Sequence, residues 1–198
     1  MRRMLLCALA AALCLGLAGC GAPPAPERAE DGADWSGDWV TVGGVMGVDT
    51  PEGMTARENN EALTAGGMYY ATWSMGEGEP YTNADGDEAT LYDAQIYLLL
   101  GGFQSEEEAR DTLAQWQEMA EAQYVVDETS EETYNGRDFH IMTYTFDSAE
   151  NPYANGASAF GTYQNYAVSA ELACREEFGG DAGELLARFL DNCHYAMP

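Results

Sequence analysis

Apolar and polar residues alternate along most of the chain after residue 40, which is typical of β-strands. Turn sequences divide these stretches, notably Thr50-Pro-Glu-Gly53 and Tyr134-Asn-Gly-Arg137. The run 94–100, AQIYLLL, is almost continuously apolar and predicts an interior strand buried on both faces. The predicted strands are 40–48, 54–58, 68–74, 90–103, two pieces within 133–146, and one long strand over 157–175; residues 76–88 form a glycine-rich acidic loop.

Two segments carry helix signals. Ser105-Glu-Glu-Glu108 is a capping box that places three acids at the positive end of a helix running to about Tyr124. Asp181, followed three residues later by Glu184, caps a second helix that ends near Tyr195. The order of strands, helix, strands and helix predicts an α+β fold, in which one antiparallel sheet has both helices packed on it.

The arrangement of these elements resembles the Mog1/PsbP-like fold. The resemblance rests on five features of the sequence. They are the segment 51–54 after a strand, the helix that begins at 105–108, the segment 135–137 that leads into a strand, Tyr163 and Tyr166 before the strand 168–172, and the terminal amphipathic helix. It spans roughly residues 42–195, with Met54 where an aromatic residue is commoner. Members of that group do unrelated jobs, including a photosystem accessory subunit and a GTPase-binding protein. The resemblance therefore implies a fold and a bias against enzyme activity.

The N-terminus has the order of a secretory signal: Arg2 and Arg3, then an uncharged apolar run over 4–16, then Leu17-Ala-Gly-Cys20. Its end resembles the lipobox of bacterial lipoproteins, which implies cleavage before Cys20 and a diacylglycerol group on the Cys20 sulfur. We therefore expect a lipoprotein on the extracytoplasmic face of the cell membrane. An uncleaved transmembrane anchor is the alternative, but the apolar run is at the short end for a spanning helix.

The predicted layout has three parts. Residues 1–19 form the signal peptide, residues 20–34 the lipidated cysteine and an acidic Pro/Ala/Gly tether, and residues 35–198 a globular α+β domain. The tether, GAPPAPERAEDGA after Cys20, has no apolar periodicity. The remaining length is sufficient for a single hydrophobic core.

The net charge limits the possible partners. All eight basic residues are arginines, against 34 acidic residues, so the formal charge is −26. Without Arg2 and Arg3, the mature chain keeps six arginines and all 34 acids, a charge of −28. Nucleic acid and anionic lipid surfaces need basic patches, so the sequence excludes them as partners beyond the lipid anchor. A basic or neutral protein partner is compatible with this charge.

Five cysteines are present, of which Cys7 and Cys14 lie in the signal and Cys20 is the predicted lipid attachment site. The remaining pair, Cys174 and Cys193, lies on the apolar faces of a strand and a helix. An even pair in an exported domain predicts a disulfide between them. The alternative is two buried free thiols, because cysteine also packs as a small hydrophobe.

The sequence shows no catalytic motif. His140 shares a strand face with Met142 and Tyr144, which predicts a packed histidine, and His194 points away from the adjacent Cys193 on a helix. The run 83–88, NADGDE, lacks the glycine position and final glutamate of a calcium loop and predicts a hairpin turn. We therefore assign no catalytic, cofactor-binding or metal-binding residue, and we expect a protein that is not an enzyme.

Three functions remain open at the level of the sequence. The first is a binding or accessory module on the cell surface. The second is an envelope glycan hydrolase or carbohydrate-binding lipoprotein, since the acids offer carboxylate pairs and Trp35 and Trp39 offer a sugar-stacking surface. Gly37-x-Trp39 also occurs in lipocalin-like barrels, although a mid-chain helix fits such a barrel poorly. The third is an acidic coat without a specific ligand.

Overall fold

The computed structural model describes residues 38–60, 67–82, 86–146 and 151–195, with the side chains of 58–60 left undescribed. The predicted signal peptide, Cys20 and the tether lie outside the described residues, as does Trp35. Among the helices within those ranges, none combines the length and the apolar character needed to cross a membrane.

The main sheet has seven strands, and every neighbouring pair is antiparallel. The strands are β3 (Met54–Asn60), β4 (Met68–Met75), β7 (Ala94–Gly102), β8 (Val125–Tyr134), β9 (Arg137–Thr145), β10 (Asn155–Tyr163) and β11 (Tyr166–Cys174). Their order across the sheet is β3-β4-β7-β11-β10-β9-β8. With its two helices, this sheet confirms the predicted α+β class.

Turn residues explain two hairpins of this sheet. Asn135 and Gly136 both have positive φ, 47° and 71°, so the predicted turn between β8 and β9 is confirmed. The single strand predicted over 157–175 is wrong, because β10 and β11 form a hairpin in which Tyr163 pairs with Tyr166. Gln164 takes a φ of 51° at this turn, a conformation that its residue type does not signal.

A second, three-stranded sheet corrects the prediction of a single sheet. It consists of β1 (Trp39–Val42), β2 (Met46–Asp49) and β12 (Cys193–Tyr195), with β2 in the centre. The strand predicted over 40–48 is therefore a hairpin, which turns at two glycines of positive φ, Gly43 and Gly44. The last predicted helix also ends earlier than expected, because the chain leaves it to pair with β2.

The predicted loop 76–88 contains part of a third, two-stranded sheet. β5 (Glu79–Thr82) pairs with β6 (Glu88–Leu91), which is consistent with the hairpin expected around 83–88. Residues 83–85 of that turn lie outside the described residues. Arg175 contacts Glu79 of this hairpin at 3.1 Å, with Asp93 at 3.9 Å and Glu177 at 3.4 Å, and so connects the hairpin to the end of β11.

Both helices begin at the predicted caps. α1 (Glu106–Gln123) starts at Ser105, whose Oγ accepts the Glu108 backbone N–H at 3.1 Å. α2 (Ala182–Asp191) starts at Asp181, whose carboxylate accepts the Glu184 N–H at 2.9 Å. A 3₁₀ turn over Glu176–Phe178 precedes α2.

The helices cover opposite faces of the main sheet. Ala157 and Ala159 of β10 belong to a core that includes α2 and the β1-β2-β12 sheet, whereas Phe160 packs with Ala120 and Trp116 of α1. Trp73 is fully buried in the first core, where its ring meets Phe189 edge to face at 5.0 Å. On α1, Ala109 and Ala120 are buried and Leu113 and Trp116 are half-buried.

Candidate functional site

An open groove of about 630 Å³ lies between strand β8 and helix α2. β8 and the first turn of α2 form its two sides, and residues of β9 and β10, among them Thr143 and Asn155, lie at its base. Gly180 and Gly183 line the groove on the α2 side, and a Cβ added at Gly180 would meet the Phe178 ring.

Carboxylates dominate the lining of this groove. The acidic lining residues, all exposed, are Asp127, Glu128, Glu132, Asp181 and Glu184. No arginine or histidine is among the lining residues that the structure describes. Because these acids converge on one concavity, their potentials add there and favour cationic groups.

The groove runs beside an edge of the main sheet. Within the described part of the chain, β8 pairs only with β9. A bulge between Val126 and Glu128 shifts the register at the start of β8. An edge strand has backbone N–H and C=O groups that a further extended segment can pair with. Acids on such an edge repel acidic strands and favour basic ones.

A second cluster lies on the α1 face. The Tyr124 hydroxyl, at the C-cap of α1, donates to the Glu171 carboxylate of β11 at 3.0 Å. The Tyr124 ring stacks on Tyr144 with centroids 4.1 Å apart, and the Tyr144 hydroxyl bonds to Ser158 at 3.1 Å. Burial raises the pKa of Glu171, and the hydrogen bond from Tyr124 opposes that rise. Glu171 therefore takes up a proton more readily than a surface glutamate.

His140 is packed on the α1 face of β9, as its neighbours in the sequence predict. Its Nδ1 lies 2.6 Å from the Glu131 carboxylate, while its Nε2 is buried and has no hydrogen-bond partner among the described residues. The remaining histidine, His194, packs against Trp39, with ring centroids 5.5 Å apart and the rings tilted by 40°. Trp39 is half-buried and lies over Gly47, where a Cβ would have no room, so this tryptophan packs on the β1-β2-β12 sheet.

The predicted disulfide between Cys174 and Cys193 is not formed, since both are buried free thiols. Cys174 ends β11 near the start of α2, where burial and then the Asp181 carboxylate raise its pKa to about 12. Cys193 follows the other end of α2, whose ten residues are about 15 Å long. Bridged cysteines need Cα atoms within about 7 Å, so the length of α2 keeps this pair apart.

Some of the predicted site residues lie within the described part of the chain and others lie outside it. Cys20 lies outside the described residues, so lipid attachment there stays a prediction. The described residues contain no cluster of histidine, cysteine, aspartate or glutamate suited to a metal ion. The acids of 127–132 and of Asp181 and Glu184 were not predicted to lie together, because nothing in the sequence shows that β8 lies beside α2.

Comparisons with known proteins give structural likeness only. No protein-family model matches the chain, and no curated protein sequence matches it. One similar solved structure is a crystal structure at 1.50 Å of a protein from Bacteroides thetaiotaomicron VPI-5482, with 11% identity, a TM-score of 0.48, and coverage of 78% of this chain and 46% of that one. The chain thus spans about half the length of the Bacteroides protein.

Another similar structure is the solution structure of cyanobacterial PsbP (CyanoP) from Synechocystis sp. PCC 6803. It has 10% identity and a TM-score of 0.45, and the match covers 91% of this chain and 98% of that one. A PsbP is therefore among the solved structures similar to this chain. At these identities and TM-scores, the likeness carries no argument about function.

Proposed function

We propose that this chain is a lipoprotein, anchored through Cys20 to the extracytoplasmic face of the cell membrane, that binds a basic segment of a partner protein in the groove between β8 and α2. The observation that carries the proposal is the convergence of five carboxylates on one groove beside a sheet edge that no other described strand pairs with. It acts by binding and carries out no reaction of its own.

Charge supports a basic partner. With 34 acidic residues and eight arginines, the surface repels acidic proteins, and five exposed carboxylates line the groove. Exposed ion pairs contribute about 0.2–1 kcal/mol each, so several lysines or arginines are needed for useful affinity. Such pairs are screened over about 8 Å at physiological ionic strength, which makes the affinity fall as salt rises.

The shape supports an extended segment. The lining follows β8 from Asp127 to Tyr134, so a bound strand has backbone groups to pair with along most of that length. In an added strand, alternate side chains point to the same side. A segment with basic residues at alternate positions therefore directs its charges toward the α2 side of the groove, where Asp181 and Glu184 lie.

The proposal is tested with the full chain in detergent micelles. The probe is a peptide of about ten residues that alternates lysine and threonine, with a glutamate–threonine peptide as its control. We expect only the lysine peptide to bind, with an affinity that falls at least tenfold between about 20 mM and about 300 mM salt. Isothermal titration calorimetry measures both affinities.

A matched pair of variants locates the binding. The groove variant carries Asp127→Asn, Glu128→Gln and Glu132→Gln, and the control carries Asp111→Asn, Glu107→Gln and Glu118→Gln on the exposed face of α1. Both remove three charges, and we expect only the groove variant to weaken peptide binding, by about tenfold. Equal weakening in both variants would contradict the groove as the binding site and favour a non-specific acidic coat. Binding that does not change with salt would contradict the electrostatic basis of the proposal.

The anchor has its own test. Cys20→Ser removes the sulfur that the lipobox assigns as acyl acceptor, so we expect no incorporation of radiolabelled palmitate in cells that express this variant. Cys7→Ser, in the signal segment, is the control and should label normally. Labelling of the Cys20→Ser variant at the wild-type level would remove the lipoprotein interpretation.

A further inference from the structure

Arg137 lies at the start of β9, where three distant parts of the chain meet. Its guanidinium carbon is 4.8 Å from the ring centre of Tyr163, at the end of β10, and 5.7 Å from that of Tyr195, in β12. The two rings are themselves 5.0 Å apart at 41°. The arginine is thus held against a pair of tyrosines by cation–π contact.

The guanidinium has no anionic partner in the part of the chain that the structure describes. Within the described residues, Arg137 makes no ion pair and no side-chain hydrogen bond. Other arginines do, since Arg110 contacts Glu106 and Arg175 contacts Glu79, at 3.3 Å and 3.1 Å. In a chain with 34 acidic residues, a half-buried arginine without a carboxylate keeps its N–H donors available.

A second unused donor lies beside it. The hydroxyl oxygen of Tyr195 is buried and has no hydrogen-bond partner among the described residues. Burial raises the pKa of Tyr195 far above its ordinary value, so the hydroxyl stays protonated and can donate, while the positive charge of Arg137 acts on the same group. A buried hydroxyl without a partner is unfavourable unless something accepts its hydrogen.

The surrounding contacts hold these groups in place. The Asn135 side chain donates to the backbone carbonyls of Asp191 at 2.6 Å and Cys193 at 3.0 Å. These bonds join the β8–β9 turn, which precedes Arg137, to the segment that leads into Tyr195. Tyr163 is almost fully buried, and its hydroxyl accepts from Gln164 at 3.2 Å. The donors are therefore positioned before any ligand arrives.

We propose that Arg137, Tyr163 and Tyr195 form a binding site for an organic carboxylate. Stacking on tyrosine uses the face of the guanidinium and leaves its N–H edge, which matches the two oxygens of a carboxylate. The Tyr195 hydroxyl supplies a further donor, while the almost fully buried Tyr163 ring holds the guanidinium in place. A singly charged carboxylate also meets less repulsion from the acidic chain than a doubly charged phosphate.

The site is separate from the proposed groove, since none of these three residues lines it. The probe is benzoate, titrated into the full chain in detergent and followed by ligand-observed NMR, with benzamide and inorganic phosphate as controls. We expect benzoate to bind and neither control to do so. A short peptide with a free C-terminal carboxylate, compared with its C-terminal amide, distinguishes a protein terminus from a free small acid as the source of the carboxylate.

Three variants test the assignment. Arg137→Gln should weaken benzoate binding at least tenfold, and Tyr195→Phe, which keeps the ring and the fold, should weaken it several-fold. Arg188→Gln removes an exposed arginine from α2 and should leave it unchanged. The proposal is overturned if benzoate does not bind, if phosphate or benzamide binds as well, or if both Arg137→Gln and Tyr195→Phe bind benzoate like the wild type.

Discussion

Glu171 is a half-buried carboxylate beneath the end of α1, where burial disfavours its charged form. The Tyr124 hydroxyl donates a hydrogen bond to it. Burial raises its pKa, so between the ordinary value of 4.5 and the raised one the folded protein binds more protons than the unfolded chain. The contribution of Glu171 to stability therefore decreases as the pH rises through this window and stays low above it.

Replacing Glu171 with glutamine should therefore stabilise the fold at neutral pH. The Glu171→Gln side chain still accepts from Tyr124 but has no charge to desolvate. We expect a higher urea midpoint than wild type at about pH 7 and no difference below about pH 4, with Glu118→Gln, on the exposed face of α1, as control. A lower midpoint for Glu171→Gln at neutral pH would show that the ionised hydrogen bond outweighs the desolvation.

The two core cysteines make a second prediction for single residues. Because α2 holds Cys174 and Cys193 apart, both of these thiols should react with Ellman's reagent only after unfolding. Adding a reductant should leave the unfolding midpoint unchanged. An intact mass lower by two protons before reduction than after it would contradict the structure and restore the disulfide.

Among the elements, α1 depends on a local signal, the cap at Ser105. Ser105→Ala removes the acceptor of the Glu108 N–H, and we expect a loss of about 1 kcal/mol in the free energy of unfolding. Ser105→Asn preserves a capping acceptor and should cost much less. Chemical denaturation of the three proteins provides the comparison, and an equal loss in both variants would mean that the hydroxyl acts in some other way.

At the scale of the whole molecule, the dominant feature is the net charge of −26. Like charges repel most in the compact state, so this surface destabilises the fold through its own field. Raising sodium chloride from about 20 mM to about 500 mM screens the repulsion and should add about 1 kcal/mol, a rise of about 2–4 °C in Tm. Near pH 4, where many carboxylates are protonated, the rise should be smaller; a Tm independent of salt at neutral pH would refute this view.

Local sequence signals were sufficient to predict several elements of the fold. α1 begins at Ser105 because the cap and three acids are adjacent, and the β8–β9 turn forms at Asn135-Gly136 because both residues tolerate positive φ. Alternating apolar residues placed most strands, and their order together with two helices gave the α+β class. These features need contacts only a few residues apart, which is why they could be predicted without a structure.

Contacts between residues that are far apart in the sequence become visible only in the tertiary structure. The segment 193–195 leaves the predicted helix to become β12, because β2 offers a free edge to pair with. The same crossing of α2 separates Cys174 from Cys193 and brings Asp181 to the acids of β8. Arg137 contacts Tyr163 and Tyr195 because the start of β9 lies beside the ends of β10 and β12 in the folded chain. No local sequence pattern predicts these contacts, because they depend on how the whole chain folds around its core.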